Sequence, residues 1–121
     1  MTDFTGPQRQ ALLDLVILAM YADGHLTSVE DARLERLLTK MGYTEAYDRQ
    51  QQLDASVTRV RQEAEVPARA RARALELARS FTARHHQQQI YGLLEQFITS
   101  DAHITAAESQ LLEAIRSLFK M

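Results

Sequence analysis

Apolar side chains recur every three or four residues along most of this chain, and no segment alternates between apolar and polar residues as a half-buried strand does. This spacing is typical of amphipathic helices and predicts an all-α fold. The first helix is predicted from about Pro7 to Ala22, because proline is favoured in the first turn and Asp23-Gly24 follows. The stripe expected to face the core is Leu12, Leu15, Val16, Ala19 and Met20.

Three more helices are predicted before residue 87. The second ends at Gly42, and its inward positions are Leu34, Leu37, Leu38 and Met41. The third begins at Thr44-Glu45 and ends before Val66-Pro67, since the residue before a proline avoids the helical region. Its predicted inward side chains are Tyr47, Leu53, Val57, Val60 and Ala64.

The fourth predicted helix opens at Pro67 and runs towards a border near His85-His86. We expect its inward side chains to be Leu75, Ala78, Phe81 and Thr82. Its solvent-facing side chains are expected to be Arg69, Arg73, Arg79 and Arg84.

The fifth predicted helix repeats the apolar stripe of the first at an offset of 78 residues, with Ile90, Leu93, Leu94, Phe97 and Ile98. After it, Leu112, Ile115 and Phe119 correspond in the same way to Leu34, Leu37 and Met41. The pattern predicts two helix-loop-helix units, residues 10–42 and 88–120, with a basic helical insert at 44–87. A chain of 121 residues is about the size of one domain. We therefore expect residues 1–121 to form one bundle of about five to seven helices, with both units packed about a pseudo-two-fold axis.

Composition narrows the classes of protein to consider. The chain has no cysteine, which excludes disulfides and thiolate zinc sites and is compatible with a reducing compartment. Its apolar runs are too short to span a bilayer, and its first residues lack the pattern of a signal peptide. We expect a cytoplasmic protein without a membrane span.

Charge is distributed unevenly, although the net charge is only −2. Residues 59–84 carry seven basic and three acidic side chains, whereas the segments before and after are acidic. Such a basic segment is either a solvated helix face or a surface for a partner. With no tryptophan and a pI near 6.1, it does not favour nucleic-acid binding.

One irregular loop occurs twice, as ADGHLTSVE near the start and SDAHITAAE near the end. Both copies fit D-[GA]-H-[LI]-T-x-x-E, and the Leu26 and Ile104 side chains are expected to be buried. Thr27 and Thr105 can cap the following helix, and the acidic residues can favour its positive N-terminus. On this interpretation the loops are helix caps alone.

The same residues also form two matched sets of metal ligands. Carboxylates suit calcium or magnesium, and added imidazoles shift the preference towards zinc, nickel or copper. If the two units pair symmetrically, both sets converge on a divalent cation. The candidate ligands are Asp23, His25, Glu30, Asp101, His103 and Glu108.

The helix-loop-helix unit that occurs twice in this sequence resembles the domain of the tellurite-resistance TerB family. That domain is also similar to the N-terminal region of the co-chaperone DjlA. The resemblance covers residues 10–42 and 88–120 and leaves the middle of the chain unmatched. It implies a non-enzymatic all-helical bundle that binds metal cations through acidic clusters, at positions that correspond here to Asp23, Glu30, Asp101 and Glu108.

The resemblance further implies a link to tellurite or other chemical stress, and to protein partners that include membrane-associated ones. One position departs from the pattern, since Ala102 stands where Gly24 stands in the first copy. The chain also lacks the J-domain of the co-chaperone.

Signals for catalysis are weak in this sequence. There is no G-x-x-x-x-G-K-[ST] or G-x-G-x-x-G loop, and no Glu-x-x-His pair of the kind that builds a di-iron bundle. Ser56, Ser80 and Ser117 lie within predicted helices rather than on a sharp turn. A small enzyme built on the loop acids and an interaction scaffold remain the alternatives to a cation-binding module.

Overall fold

A computed structural model describes residues 4–21, 32–99 and 106–120 of the chain. These segments contain six α-helices and no strand. The all-α prediction is confirmed, and the number of helices lies within the predicted range. The helices are α1 (Gly6–Tyr21), α2 (Ala32–Lys40), α3 (Ala46–Ala64), α4 (Pro67–Arg79), α5 (Arg84–Thr99) and α6 (Ala106–Leu118).

Helix α1 lies at the centre of the bundle. Every residue from 11 to 19 is buried, including the polar Asp14, whereas the sequence predicted a single apolar stripe. A helix that is apolar on all sides is stable only where neighbours cover each side. Helices α3 and α4 make the most extensive contacts with α1, and α5 and α6 contact it as well. The predicted stripe residues Leu12, Leu15, Val16 and Ala19 are all buried.

Helix α3 covers α1 with a face that includes Leu53, Ser56, Val60 and Ala64. Tyr47, which the sequence assigned to this face, is instead 72% exposed. At about 100° per residue, Tyr47 lies roughly 120° around the helix from Leu53, so it points away from α1. That part of the prediction is wrong because the stripe begins only at Leu53.

Helix α4 ends earlier than predicted. The chain leaves the helix at Ser80, whose amide bonds to the carbonyls of Leu77 and Ala78. Phe81 is buried as expected, but Thr82 is exposed and Leu75 is only half-buried. Thr82 lies in the connection to α5 and therefore does not follow the helical register that predicted an inward position.

His85 and His86 lie in the first turn of α5 rather than at a border between helices. His86 is buried, and its ring centroid lies 4.7 Å from that of Phe4. Phe4 in turn meets Phe81 edge to face at 5.9 Å. These rings close one end of the core around the start of α1.

Several local features recur at the 78-residue offset of the predicted units. Helices α1 and α5 both have 16 residues, and their first residues, Gly6 and Arg84, lie at that offset. Helices α2 and α6 end at equivalent positions, Lys40 and Leu118. Two residues later, the backbone φ is positive at both Gly42 (103°) and Lys120 (57°).

An arginine from the first helix of each unit secures the end of the second helix. Arg9 donates from Nη1 to the carbonyl of Met41 at 3.3 Å, and Arg84 donates from Nη1 to the carbonyl of Phe119. Met41 and Phe119 are equivalent positions and both are buried. The acceptor carbonyls are thus equivalent, but the donors are not, since the residue that corresponds to Arg9 is Gln87.

The two units differ in how their first helices are covered. Gln89, Glu95 and Gln96 of α5 are exposed, at positions where α1 has three buried apolar residues. Helix α6 packs on α5 and α4, whereas α2 contacts α3. Superposition of the whole units about a two-fold axis stays a prediction. No helix within the described segments is long and apolar enough to cross a membrane.

Candidate functional site

Most of the candidate metal ligands lie outside the described residues. These are Asp23, His25, Glu30, Asp101 and His103. The same is true of the two side chains expected to be buried, Leu26 and Ile104, and of the two expected helix caps, Thr27 and Thr105. Glu108 is the one candidate ligand within the described segments. The predicted convergence of the two loops therefore stays a prediction.

Glu108 lies in the first turn of α6 and is only 5% exposed. Burial is unusual for glutamate, because a carboxylate loses hydration when it leaves water. The N-terminal turn of a helix offsets part of this cost through its positive end. The first turn of α6 therefore places one carboxylate of the repeated motif inside the protein rather than on its outer surface.

The described segments contain no group of three or more histidines, aspartates or glutamates that could hold a metal ion. A cation site of that size that includes Glu108 would have to take at least one of its other ligands from residues outside those segments. The two repeated loops contain such residues.

A buried polar cluster that the sequence did not predict joins α1 to α3. Asp14 accepts hydrogen bonds from Ser56 Oγ at 2.5 Å and from Arg59 Nη2 at 2.9 Å on Oδ1, and from Arg59 Nε at 3.0 Å on Oδ2. The Asp14 side chain is 4% exposed, whereas that of Arg59 is 32% exposed. Both carboxylate oxygens are occupied, so this cluster fixes α3 on α1.

The same cluster removes Ser56 as a candidate nucleophile. Its side chain is fully buried, and its hydroxyl donates to a carboxylate rather than to a histidine. A substrate cannot reach a hydroxyl in that position. The signal for this cluster was a lone aspartate within the apolar run LLDLVILA, but nothing in the sequence paired it with residues 42 and 45 positions later.

The described surface includes grooves beside α2. A groove of about 410 Å³ lies between the end of α2 and one side of α5, and it is lined by Lys40, Gln88, Gln89, Gly92, Leu93 and Gln96. A smaller one of about 130 Å³ lies between α2 and α3 and includes Glu35 and Arg49. Amide and apolar side chains dominate the larger groove, which therefore suits contact with another molecule more than acid-base chemistry.

Tyr91 is the titratable group in the described segments whose pKa departs clearly from its ordinary value. Burial raises the pKa of Tyr91, the Glu95 carboxylate raises it further, and Arg116 lowers it. The phenol therefore stays protonated at neutral pH. Its hydroxyl is hydrogen-bonded to the side chain of Glu95.

Comparison of this chain with protein-family models, with curated proteins and with solved structures gave no match. The resemblance to the TerB family therefore rests on the repeated loop motif and on the elements that flank it.

Proposed function

We propose that this chain is a non-enzymatic, TerB-like helical module that binds a divalent cation through its two acidic loops. It acts through protein partners, in the cytoplasm, in the response to tellurite or other chemical stress. The observation that carries the proposal is the loop D-[GA]-H-[LI]-T-x-x-E, written twice at an offset of 78 residues.

The helices that flank these loops support a common role for the two copies. Each loop follows a 16-residue helix and precedes a helix that is followed, two residues after its end, by a residue with positive φ. Helix capping explains the threonines and can explain the acids, but it does not explain why a histidine occupies the same position in both copies. A cation that uses carboxylate and imidazole ligands accounts for both residue types.

The burial of Glu108 gives a second, physical argument. Carboxylates that are brought together away from water repel one another, and a divalent cation removes that repulsion. Glu108 is buried in the first turn of α6, which follows the second loop. On this proposal Glu108 is the ligand that α6 contributes to the site.

Thermal melting with and without calcium, magnesium or zinc tests the cation site. We expect an ion that binds to raise the melting temperature, because a ligand present at 100 times its Kd stabilises the folded state by about 2.7 kcal/mol. Asp23→Asn and Asp101→Asn should each reduce the shift. Asp54→Asn is the matched control, since Asp54 is an exposed carboxylate on α3 that pairs locally with Gln50.

Measurements at pH 7.5 and pH 5.5 test the role of His25 and His103. A metal ligand must be the neutral imidazole, and the ordinary histidine pKa is about 6.5, so the ion-dependent shift should shrink at the lower pH. If no ion shifts the melting temperature, or if all variants shift equally, the loops are helix caps alone. Growth of tellurite-treated cells that express the chain or the Asp23→Asn and Asp101→Asn variants then tests the link to stress.

A further inference from the structure

Helix α2 is attached to the bundle differently from the other five helices. Within the described segments, each of the others packs closely on at least two helices, whereas α2 packs closely on α3 alone. It is also the shortest of the described helices, with nine residues. An isolated helix of that length is marginal in water, so its packing rather than its own helical stability holds α2 in place. Among the described helices, α2 is therefore the one that the bundle secures least.

One apolar face attaches α2 and the residue after it to the bundle. Its buried side chains follow the spacing of a single helical stripe and are Leu34, Leu37, Leu38 and Met41. The other described side chains of α2 are exposed, namely Glu35, Arg36, Thr39 and Lys40. The groove of about 130 Å³ lies between this helix and α3, where it is lined by both Leu38 and Leu53. The contact between the two helices is therefore incomplete.

Two arginines hold the connection from α2 to α3. Arg9 of α1 donates from Nη1 to the carbonyl of Met41 at 3.3 Å, and its guanidinium carbon lies 5.8 Å from the ring centroid of Tyr43. Arg49 of α3 donates from Nη1 to the carbonyls of Tyr43 at 3.3 Å and Thr44 at 2.7 Å. The C-terminal end of α2 is thus fixed on the bundle, whereas its N-terminal end follows the first repeated loop in the chain. A motion of α2 about this connection leaves the other five helices in contact with one another.

We propose that α2 opens as a unit about its fixed C-terminal end while the other five helices stay folded. Opening exposes the apolar faces of α2 and α3 around Leu38 and Leu53, which are buried in the closed form. Regulation of this opening rests on the proposed function of the loops. A cation held by Asp23, after α1, and by Glu30, before α2, ties the N-terminal end of α2 to α1. It therefore favours the closed form, because a ligand that prefers one of two states shifts the population towards that state.

Native-state hydrogen exchange of the chain in a chelator, at increasing urea below the unfolding transition, tests the opening without any ion. The amides of α2 should exchange through one shared opening, with protection at least about tenfold lower than that of the amides of α1 and α3. The amides of α3 should stay protected when those of α2 exchange, because α3 also packs on α1 and α4. If α2 exchanges only through global unfolding of the bundle, the proposal is overturned.

Two neighbouring glutamines of α3 supply a matched pair of variants. Gln50 and Gln51 each donate one hydrogen bond within α3, to Asp54 and to Tyr47, but of these two only Gln50 lines the groove beside α2. Gln50→Leu should slow the exchange of α2 at least about threefold, roughly the effect of burying one further methylene group. Gln51→Leu should leave it unchanged. Equal exchange of α2 in both variants overturns the proposal, because the opening then does not separate α2 from α3.

Calcium and zinc, added to the wild type and to Asp23→Asn, test the regulation. An ion that raises the melting temperature should slow the exchange of α2 at least about tenfold more than that of α4, and Asp23→Asn should abolish this difference. An ion that stabilises the chain without this selective slowing overturns the regulation and leaves the cation site of the proposed function intact. If neither ion changes the melting temperature, the proposed function fails and the regulation fails with it, whereas the opening is decided by exchange in the chelator.

Discussion

At the scale of single residues, the Asp14 carboxylate carries a large share of the specificity of packing between α1 and α3. It is surrounded by apolar side chains, and its three hydrogen bonds come from two residues of α3. A buried charge is costly to desolvate, and its partners must compensate for that cost. The cluster therefore selects one register of α3 on α1, because a shift of α3 would leave the carboxylate unpaired.

Replacement of Arg59 by methionine tests this cluster. The variant leaves Asp14 charged and buried, with Ser56 as its remaining donor, so we expect the free energy of unfolding to fall by about 3 kcal/mol. This is the lower end of the usual range, because Arg59 is about a third exposed. Urea denaturation followed by circular dichroism measures the change.

The double variant Asp14→Leu/Arg59→Met supplies the comparison. It removes both charges and fills the same volume with apolar groups, so it should be more stable than Arg59→Met alone. Arg61→Met, an exposed change two residues away on α3, is the control and should leave the midpoint nearly unchanged. If Arg59→Met behaves like Arg61→Met, the ion pair contributes nothing to the fold.

At the scale of helices, the two units end their second helices with the same geometry but with different residues. Gly42 adopts positive φ without strain, whereas Lys120 has a side chain in that region. The amide of each residue bonds to a carbonyl three residues earlier, from Gly42 to Thr39 at 3.0 Å and from Lys120 to Ser117 at 3.1 Å. The end of the helix thus sets the positive φ, and the residue at that position determines how much conformational strain the positive φ causes.

Substitutions at these two positions should have opposite effects. Gly42→Ala places a Cβ in a left-handed conformation and should lower the free energy of unfolding by about 1–2 kcal/mol. Lys120→Gly removes such a Cβ and should raise it by about 0.5–1 kcal/mol. Denaturant midpoints measured under identical conditions give both values, and changes of the same sign at both positions would contradict the shared geometry.

The sequence predicted the helices well where strong local signals mark their ends. The end of α2 was predicted from Gly42, and the break between α3 and α4 was predicted from Val66-Pro67. Both predictions lie close to the observed positions. The end of α4 at Arg79 was missed because SFTA, residues 80–83, contains neither glycine nor proline. Phe81 lies in the core as predicted, but it enters from the connection after α4, and the end of the helix there is a tertiary effect which no local pattern records.

At the scale of the whole molecule, α1 is the element that joins the two units and the insert. The sequence predicted one buried stripe on α1, because periodicity cannot show that helices α3 and α4 of the insert cover the remaining sides. The same limit applies to the candidate site. The repeated loops were identified from their residues, whereas the Asp14 cluster and the groove at Gly92 depend on contacts between distant segments.

Equivalent leucines test whether the two first helices differ as described. Leu15 is fully buried on α1, and Leu93 is half-buried on α5 at the equivalent position. Leu15→Ala should lower the free energy of unfolding by about 2–5 kcal/mol, through lost contacts and a cavity. Leu93→Ala should cost about 1 kcal/mol, because less apolar surface returns to water. Equal losses in urea denaturation would mean that α5 is covered as fully as α1.

The central position of α1 has a consequence for how the protein is made. Within this chain, α1 leaves the ribosome before the other five helices, yet α3 and α4 must cover it and α5 and α6 complete its surroundings. At a synthesis rate of about 5–20 residues per second, the apolar surface of α1 stays uncovered for several seconds, until those helices have been synthesised. During that interval α1 is a target for chaperones and for aggregation, and its surroundings are complete only when α6 emerges.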